Sequence, residues 1–239
     1  MKTIALIPAR LESERFPNKL IKNLDGVPII VRTYLAALNS KLFDQVYVVS
    51  GNDEIIDLIK SKDGLTFKSR KIHQSGTDRI AEAAKEIDHD IVVNLQGDEP
   101  FINIDAINNL ISSFEDNSVK MASLMTSFNS FDEINNPNNV KVTVDKNDNA
   151  IFFSRSPIPE GEGEIKKFNR HIGVYAFRTL YLKKFAKYDQ TPLEKAEMIE
   201  ALRIVEHGEK IRMIEIFKEH VSIDTIDDLK MAESILKQK

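Results

Sequence analysis

The sequence predicts an α/β protein built on a mainly parallel, mixed sheet with a β-rich insertion. In the first half, short apolar runs at Thr3–Ile7, Gln45–Val49 and Ile91–Leu95 alternate with amphipathic stretches at Pro28–Leu38, Asp53–Lys60 and Thr77–Glu86. A parallel sheet produces this rhythm, because its strands are buried on both faces and each crossover helix packs back onto them. From Lys120 to Phe177 the rhythm gives way to successive strand-like runs. No low-complexity linker or internal repeat divides the 239 residues. The chain therefore reads as a single domain, 1–239, with a β-rich lobe over roughly residues 120–177.

Each element has its own signal. Thr3–Ile7 is short, apolar and stopped by Pro8, as a buried strand is. Pro28 suits the first turn of the helix Pro28–Leu38. Ile55, Ile56 and Ile59 share one face of the helix Asp53–Lys60. Ile91–Leu95 is apolar except for Asn94 and reads as a strand, and Asp105–Phe114 follows as a helix, with Asp105 as its cap. Lys120–Met125 and Lys141–Val144 read as strands, and Ile151–Ser154 pairs with the latter across a turn at Lys146–Asn149. His171–Phe177 is a strand, Leu193–Glu206 a helix, Ile211–Phe217 a strand and Thr225–Leu236 a final helix.

Composition narrows the function. At 42% hydrophobic and 29% charged residues the chain is ordinary for a folded protein. A net charge of -4, with no basic tract interleaved with aromatics, argues against nucleic acid as a partner. The stretch Lys68–Lys71 reads as a solvated edge. The absence of cysteine excludes disulfides, zinc–thiolate sites and cysteine nucleophiles. No run reaches the roughly 18 apolar residues of a membrane span, and the first residues lack a signal-peptide pattern, so a cytoplasmic location is expected.

In parallel sheets ligands bind beyond the carboxyl ends of strands, which promotes motifs that follow strands. After the first strand, Pro8–Lys19 carries Arg10, Arg15 and Lys19, with Ser13 among them. Guanidinium forks and a mobile ammonium match the clustered charge of a triphosphate; the plain alternative is a solvated loop. The run is not a P-loop, having no G-x-x-x-x-G-K-S/T. Asp98 follows the strand Ile91–Leu95, after Gly97, and a carboxylate there suits magnesium. Asp224 is the second metal candidate, and it equally suits an N-cap of the last helix. Asp88-His89-Asp90 precedes its strand, lies at the wrong sheet edge and reads as a solvated turn. Ser75, Gly76 and Thr77 open a helix whose backbone N–H groups can meet an anion or a base edge, with Arg79 one turn in; Ser75 or Thr77 as a simple cap is the alternative. Arg155 follows a strand and can meet a carboxylate. His171, Gly173 and Tyr175 share a strand face by their period of two. Glu200 and Arg203 lie at i and i+3 on the helix Leu193–Glu206, a spacing that by itself favours a surface ion pair over a site role.

These motifs together resemble the 3-deoxy-manno-octulosonate cytidylyltransferase (CMP-Kdo synthetase) family along nearly the whole chain. The likeness rests on Ile7-Pro8-Ala9-Arg10 with Ser13, Arg15, Pro17 and Lys19, on Gln74–Arg79, on Asn94–Pro100, on Phe153–Arg155, on Arg170–Tyr175 and on Ile223–Thr225. The first loop is common to many sugar nucleotidyltransferases, whereas Gln96–Pro100 combined with Ser75–Arg79 is far more specific. The resemblance implies a Rossmann-like, nucleotide-diphospho-sugar transferase fold and a homodimer. It implies the reaction CTP plus Kdo giving CMP-Kdo and pyrophosphate, which activates Kdo for lipopolysaccharide, with Mg2+ as cofactor. Arg10, Lys19 and Asp98 are then the catalytic groups. Arg10, Arg15, Lys19, Ser75, Gly76 and Arg79 bind the nucleotide, and Asp98 and Asp224 hold the metal. Gln96, Arg155, His171, Tyr175 and Glu200 contact the sugar, and the β-rich lobe is the sugar-side and dimerisation region. The chain departs from the family in the short acidic stretch Glu160–Lys166 and in Val49–Asp53. The alternative substrate is therefore 8-amino-Kdo or another acidic ulosonate.

Overall fold

A computed structural model describes residues 1–13, 16–73, 75–160, 168–217 and 222–237. The chain forms two compact units, residues 1–104 with 219–239, and residues 105–218. In the first unit, β1 (Thr3–Ala9), β4 (Gln45–Ser50), β5 (Leu65–Lys68) and β6 (Ile91–Asn94) lie parallel in the order β6-β1-β4-β5. The minor strands β2 (Asn23–Leu24) and β3 (Val27–Pro28) pair with each other between β1 and the helix α1 (Ile29–Asn39). Helices α2 (Asp53–Lys60) and α3 (Gly76–Ala83) provide the other crossovers.

The apolar runs behave as doubly covered strands should. Ile4, Leu6, Ile7, Val48, Val49 and Ile91–Val93 are fully buried. Ile55, Ile56 and Ile59 turn the apolar face of α2 inward. Because the strands run parallel, the chain leaves β1, β4, β5 and β6 at one edge of the sheet. β1 connects forward to β4 on one side, while β6 returns to its other side. The reversal of strand order lies between β1 and β6, which is where such sheets open a ligand crevice. Arg10 follows β1 and Asp98 follows β6.

The second unit begins one residue into α4 (Ile104–Ser112). Its sheet is mixed: β7 (Met121–Ser127) runs parallel to β11 (Arg212–Glu215) and antiparallel to β10 (Asn169–Arg178). β8 (Lys141–Val144) and β9 (Ala150–Ser154) form the expected hairpin, and β8 also pairs with β10. Short helices α5 (Phe131–Asn135), α6 (Thr179–Phe185), α7 (Pro192–Glu197) and α8 (Ala201–Glu206) complete it. The chain then rejoins the first unit through α9 (Ile226–Lys237). The α/β class with a mainly parallel, mixed sheet is thus as expected.

Several local readings are corrected. The helix expected over Leu193–Glu206 is two helices, broken where Met198 takes a left-handed backbone at φ 55°. Arg203 is buried, so it is no partner in a surface ion pair. Its guanidinium meets Glu194 at 2.6 and 2.8 Å. His89 is buried rather than solvated, and Asp90 accepts the backbone N–H of Lys2 at 2.7 Å, bracing the amino edge of the sheet. Asp105 lies within the first turn of α4 and is not its cap. β5, α5 and α6 were not anticipated.

Candidate active site

In the first unit the functional groups are set by how the loop after β1 folds. Phe16 and Leu20 are buried and pin the loop from either side of Asn18, which takes a left-handed backbone at φ 56°. The Asn18 N–H closes the loop on the Leu11 carbonyl at 3.2 Å, and a 3-10 turn begins at Lys19. Arg10 remains exposed at the end of β1. Arg15 and Gln74 lie outside the described residues.

Lys19 is the centre of the arrangement. Its Nζ donates to Oδ2 of Asp98 and to Oδ1 of Asp224 at 2.9 Å. Residues 79 and 205 positions away along the chain thereby converge on one ammonium. A backbone bond helps to bring them together, the N–H of Ile223 meeting the carbonyl of Asp98 at 3.0 Å. Gly97 permits close packing there: a Cβ would lie 3.1 Å from Ile30 Cδ1 and 3.3 Å from the Pro8 carbonyl. The Thr33 hydroxyl donates to the Gly97 carbonyl at 2.9 Å, tying the turn to α1. Gln96 opens this same turn, so it stands beside Asp98 in the first unit.

The capping alternative for Asp224 resolves cleanly. Thr225 Oγ1 accepts from the Asp228 N–H at 3.2 Å, and Asp228 Oδ2 accepts from the Thr225 N–H at 2.8 Å. This reciprocal pair caps α9. The Asp224 carboxylate is directed at Lys19 instead.

Charge in this cluster is finely balanced. Burial alone disfavours protonated Lys19, but Asp98 and Asp224 outweigh it and raise its pKa. Burial raises the Asp98 pKa, with the like charges of Glu99 and Asp224 adding to it and Lys19 opposing. Burial and the neighbouring charge of Arg10 lower the pKa of Arg79, whose Nη1 donates to the Ala9 carbonyl at 3.1 Å. Two guanidinium groups therefore crowd the carboxyl end of β1, an arrangement that an anion relieves.

Ser75 caps α3, its Oγ accepting from the Asp78 N–H at 3.1 Å. Capping leaves Gly76 unexplained, but packing does not: a Cβ there would sit 3.2 Å from Pro8 Cγ. The start of α3 thus lies hard against the end of β1. Glu82 secures the preceding segment. It accepts from Ser69 Oγ at 2.7 Å and the Arg70 N–H at 3.1 Å, and bonds His73 Nε2 at 2.7 Å. Burial pushes the Glu82 carboxyl upward, yet the bonds from Ser69, His73 and Arg70 prevail and hold it at about 2. A carboxyl depressed from 4.5 stabilises the fold above the unfolded value and loses that contribution as pH falls toward about 2. Glu82→Gln should therefore destabilise the protein by about 1–2 kcal/mol at neutral pH. In urea titrations the gap from wild type should narrow between pH 4.5 and pH 3; a gap independent of pH would show that charge is not what holds the segment.

The second unit holds the remaining candidates. The register of β10 on β7 shifts between Ile172, which faces Leu124, and Tyr175, which faces Ser123. His171 and Tyr175 still share a face, since their partners Met125 and Ser123 are two residues apart. Their ring centroids are 5.4 Å apart, and Phe153 packs edge-on to His171 at 4.8 Å. Burial takes the His171 pKa down to about 3, so the imidazole is neutral near pH 7. Ser123 Oγ is 2.8 Å from the Val174 carbonyl and 3.0 Å from His171 Nε2. The serine has one proton, and a carbonyl can only accept it. Nε2 therefore carries the imidazole proton and Nδ1 is the acceptor. Burial, with the carboxylates of Glu200 and Glu194, holds the Tyr175 phenol well above its usual value and keeps it protonated.

Arg155 is more occupied than its sequence context suggested. It donates to the carbonyls of Glu197 at 2.7 Å, Pro137 at 2.9 Å and Met198 at 3.4 Å. Glu197 also accepts from Ser154 Oγ and the Arg155 N–H, each at 2.8 Å. Ser123, Glu82 and Glu197 are the supporting residues that sequence reasoning missed. Each acts through tertiary contacts and belongs to no motif that separates it from other serines and glutamates. Residues 161–167, within which most of the acidic stretch falls, lie outside the described residues.

Residues 4–211 match the family described as cytidylyltransferase. The chain is 47% identical over 243 residues to a 3-deoxy-manno-octulosonate cytidylyltransferase of Flavobacterium johnsoniae, covering 99% of each chain. It is 45% identical over 240 residues to the protein of that name in Christiangramia forsetii, covering 98% of this chain and 97% of the relative. A solved CMP:2-keto-3-deoxy-manno-octonic acid synthetase in complex with CTP superimposes with a TM-score of 0.94 at 32% identity, covering 100% of this chain and 99% of that one. A 4-diphosphocytidyl-2C-methyl-D-erythritol synthase from Anaerococcus prevotii, at 15% identity and a TM-score of 0.64, shares the fold alone.

Proposed function

The chain belongs to the 3-deoxy-manno-octulosonate cytidylyltransferase family, and from that premise we propose that it converts CTP and Kdo to CMP-Kdo and pyrophosphate. Its fold is that of the nucleotide-diphospho-sugar transferases, as the motifs implied. The observation that carries the reading is the convergence of Lys19, Asp98 and Asp224 at the strand-order reversal of the first unit.

Asp98 and Asp224 fit a divalent metal, for which we propose magnesium. Both carboxylates already direct an oxygen at one cation, and hard carboxylate oxygens are the donors that magnesium takes. When bound, the metal supplies charge neutralisation at the phosphates. The chain's own residues do the rest. Arg10 and Lys19 bind phosphate oxygens, with Arg15 assisting and Arg79 anchoring the loop between them. Ser75, Gly76 and Arg79 read the cytidine. The oxygen of the sugar's anomeric hydroxyl forms the new bond to the α-phosphorus, its proton passing to solvent, while the bond to pyrophosphate breaks, so no enzyme-bound intermediate is required.

Gln96, Arg155, His171, Tyr175 and Glu200 are the proposed sugar contacts. Neutral His171 offers Nδ1 to a hydroxyl, and protonated Tyr175 offers a donor. Arg155 has donor hydrogens beyond the three it gives to backbone carbonyls, and these are available to a carboxylate. Its larger part is to position the segment around Met198 that leads to Glu200. A homodimer and a cytoplasmic location complete the reading; among the described residues no helix is long and apolar enough to cross a membrane.

The test is pyrophosphate release with CTP, Mg2+ and a panel of acceptors. Release with Kdo is expected, and a stronger response to 8-amino-Kdo or another ulosonate would reassign the sugar. Release only with a sugar phosphate, or with no ulosonic acid at all, contradicts the proposal.

A further inference from the structure

We infer that Lys19 is the resident cation of the Asp98–Asp224 pair in the nucleotide-free protein, so that a divalent metal gains these carboxylates only when a nucleotide draws the lysine away. The inference rests on the proposed role of Asp98 and Asp224 as metal ligands. It adds an order to the assembly of the site, and a second task for Lys19.

The geometry leads to it directly. One ammonium bonds an oxygen of each carboxylate, and the Lys19 side chain is only 14% exposed. Magnesium must approach carboxylate oxygens to about 2.0–2.1 Å. A cation so placed competes with the ammonium for the same oxygens and is repelled by its charge. The two cannot share the position, so one excludes the other.

The carboxylates do not depend on Lys19 to stay together. The Ile223 N–H bonds the Asp98 carbonyl at 3.0 Å, and the Thr33 hydroxyl holds the Gly97 carbonyl at 2.9 Å. Withdrawal of the lysine therefore leaves a formed pair of ligands. Nor does the backbone need to move. Phe16 and Leu20 are buried and hold the backbone on either side of Lys19, while the four-carbon lysine stem can turn about its single bonds. A triphosphate offers the ammonium alternative anionic partners. Once the ammonium moves to them, the pair loses that cation, and a metal arriving with the nucleotide takes its place. Metal and nucleotide then bind with positive coupling, and the coupling is reciprocal.

The experiment is titration of the nucleotide-free protein with Mn2+ alone, with free Mn2+ read by electron paramagnetic resonance. Wild type, Lys19→Met, Lys19→Gln and the double variant Lys19→Met/Asp98→Asn are compared, with circular dichroism reporting folding. Lys19→Gln serves if the methionine variant does not fold. At least tenfold tighter Mn2+ binding is expected on removal of Lys19, with that gain lost on adding Asp98→Asn. Unchanged Mn2+ affinity in the lysine variants, together with loss of binding in the double variant, overturns the inference and leaves the metal ligands standing. Mn2+ affinity that is indifferent to Asp98→Asn overturns the metal assignment, and the inference with it.

Discussion

Asp98→Asn is expected to lower kcat by about a thousandfold, equivalent to about 4 kcal/mol of transition-state stabilisation. The substitution keeps the size and an acceptor oxygen, so the bond from Lys19 survives in weakened form. What is lost is one of the two negative charges that fit the pair for a divalent cation. Folding should not suffer. Asp98 is partly buried beside Glu99 and Asp224, and its carboxyl is pushed upward by burial and by those like charges. Removing that charge relieves a cost of the folded state. The signature is therefore a loss of turnover with unfolding unchanged or shifted to higher denaturant. Steady-state kinetics and urea denaturation on the same preparation check it. Wild-type turnover removes Asp98 from the site, and joint loss of activity and stability assigns it a structural role.

Arg203→Met is expected to cost about 3–5 kcal/mol of stability, because it strands a buried carboxylate. Arg203 and Glu194 are only 2% and 3% exposed and are joined at 2.6 and 2.8 Å. The guanidinium also lies 4.5 Å above the Phe185 ring, so packing is lost with the charge. Glu194 retains bonds from the Thr191 N–H at 3.3 Å and from Gln190 Nε2 at 3.5 Å, two neutral donors that do not replace a guanidinium. Adding Glu194→Gln to Arg203→Met should recover part of the loss, since an amide is far cheaper to bury than a carboxylate. Urea denaturation of the single and double variants measures both effects. A cost below about 1 kcal/mol for Arg203→Met would mean that the pair is solvated, as surface pairs are.

These two residues mark the limits of what the sequence disclosed. Asp98 was legible as a candidate because it follows a continuous apolar run, Ile91–Leu95, and an ending strand in a parallel sheet points to a ligand. Arg10 and Lys19 were legible for the same reason. The metal candidacy of Asp224 was open in the sequence, since an aspartate before a helix is equally a cap; only the bonds between Thr225 and Asp228 assign the capping elsewhere. Arg203 was misread because its partner lies nine positions away, across a helix break. Met198-Ile199-Glu200 contains no glycine or proline, so nothing local announces the left-handed residue that separates α7 from α8. β5 escaped notice because Leu65-Thr66-Phe67-Lys68 is a partly exposed edge strand without a buried apolar run. The hydrogen bond that assigns the His171 tautomer is made to Ser123 on a neighbouring strand, which no spacing rule connects to it.

The most direct test of the central claim is the identity of the product. The protein is incubated with CTP, Mg2+ and Kdo, and the reaction is followed by phosphorus-31 nuclear magnetic resonance. A new phosphodiester resonance, that of CMP-Kdo, is expected to appear in equal amount with pyrophosphate as the CTP signals decline. Pyrophosphate accompanied by free CMP, or CTP that remains intact until a sugar phosphate is supplied, would contradict it.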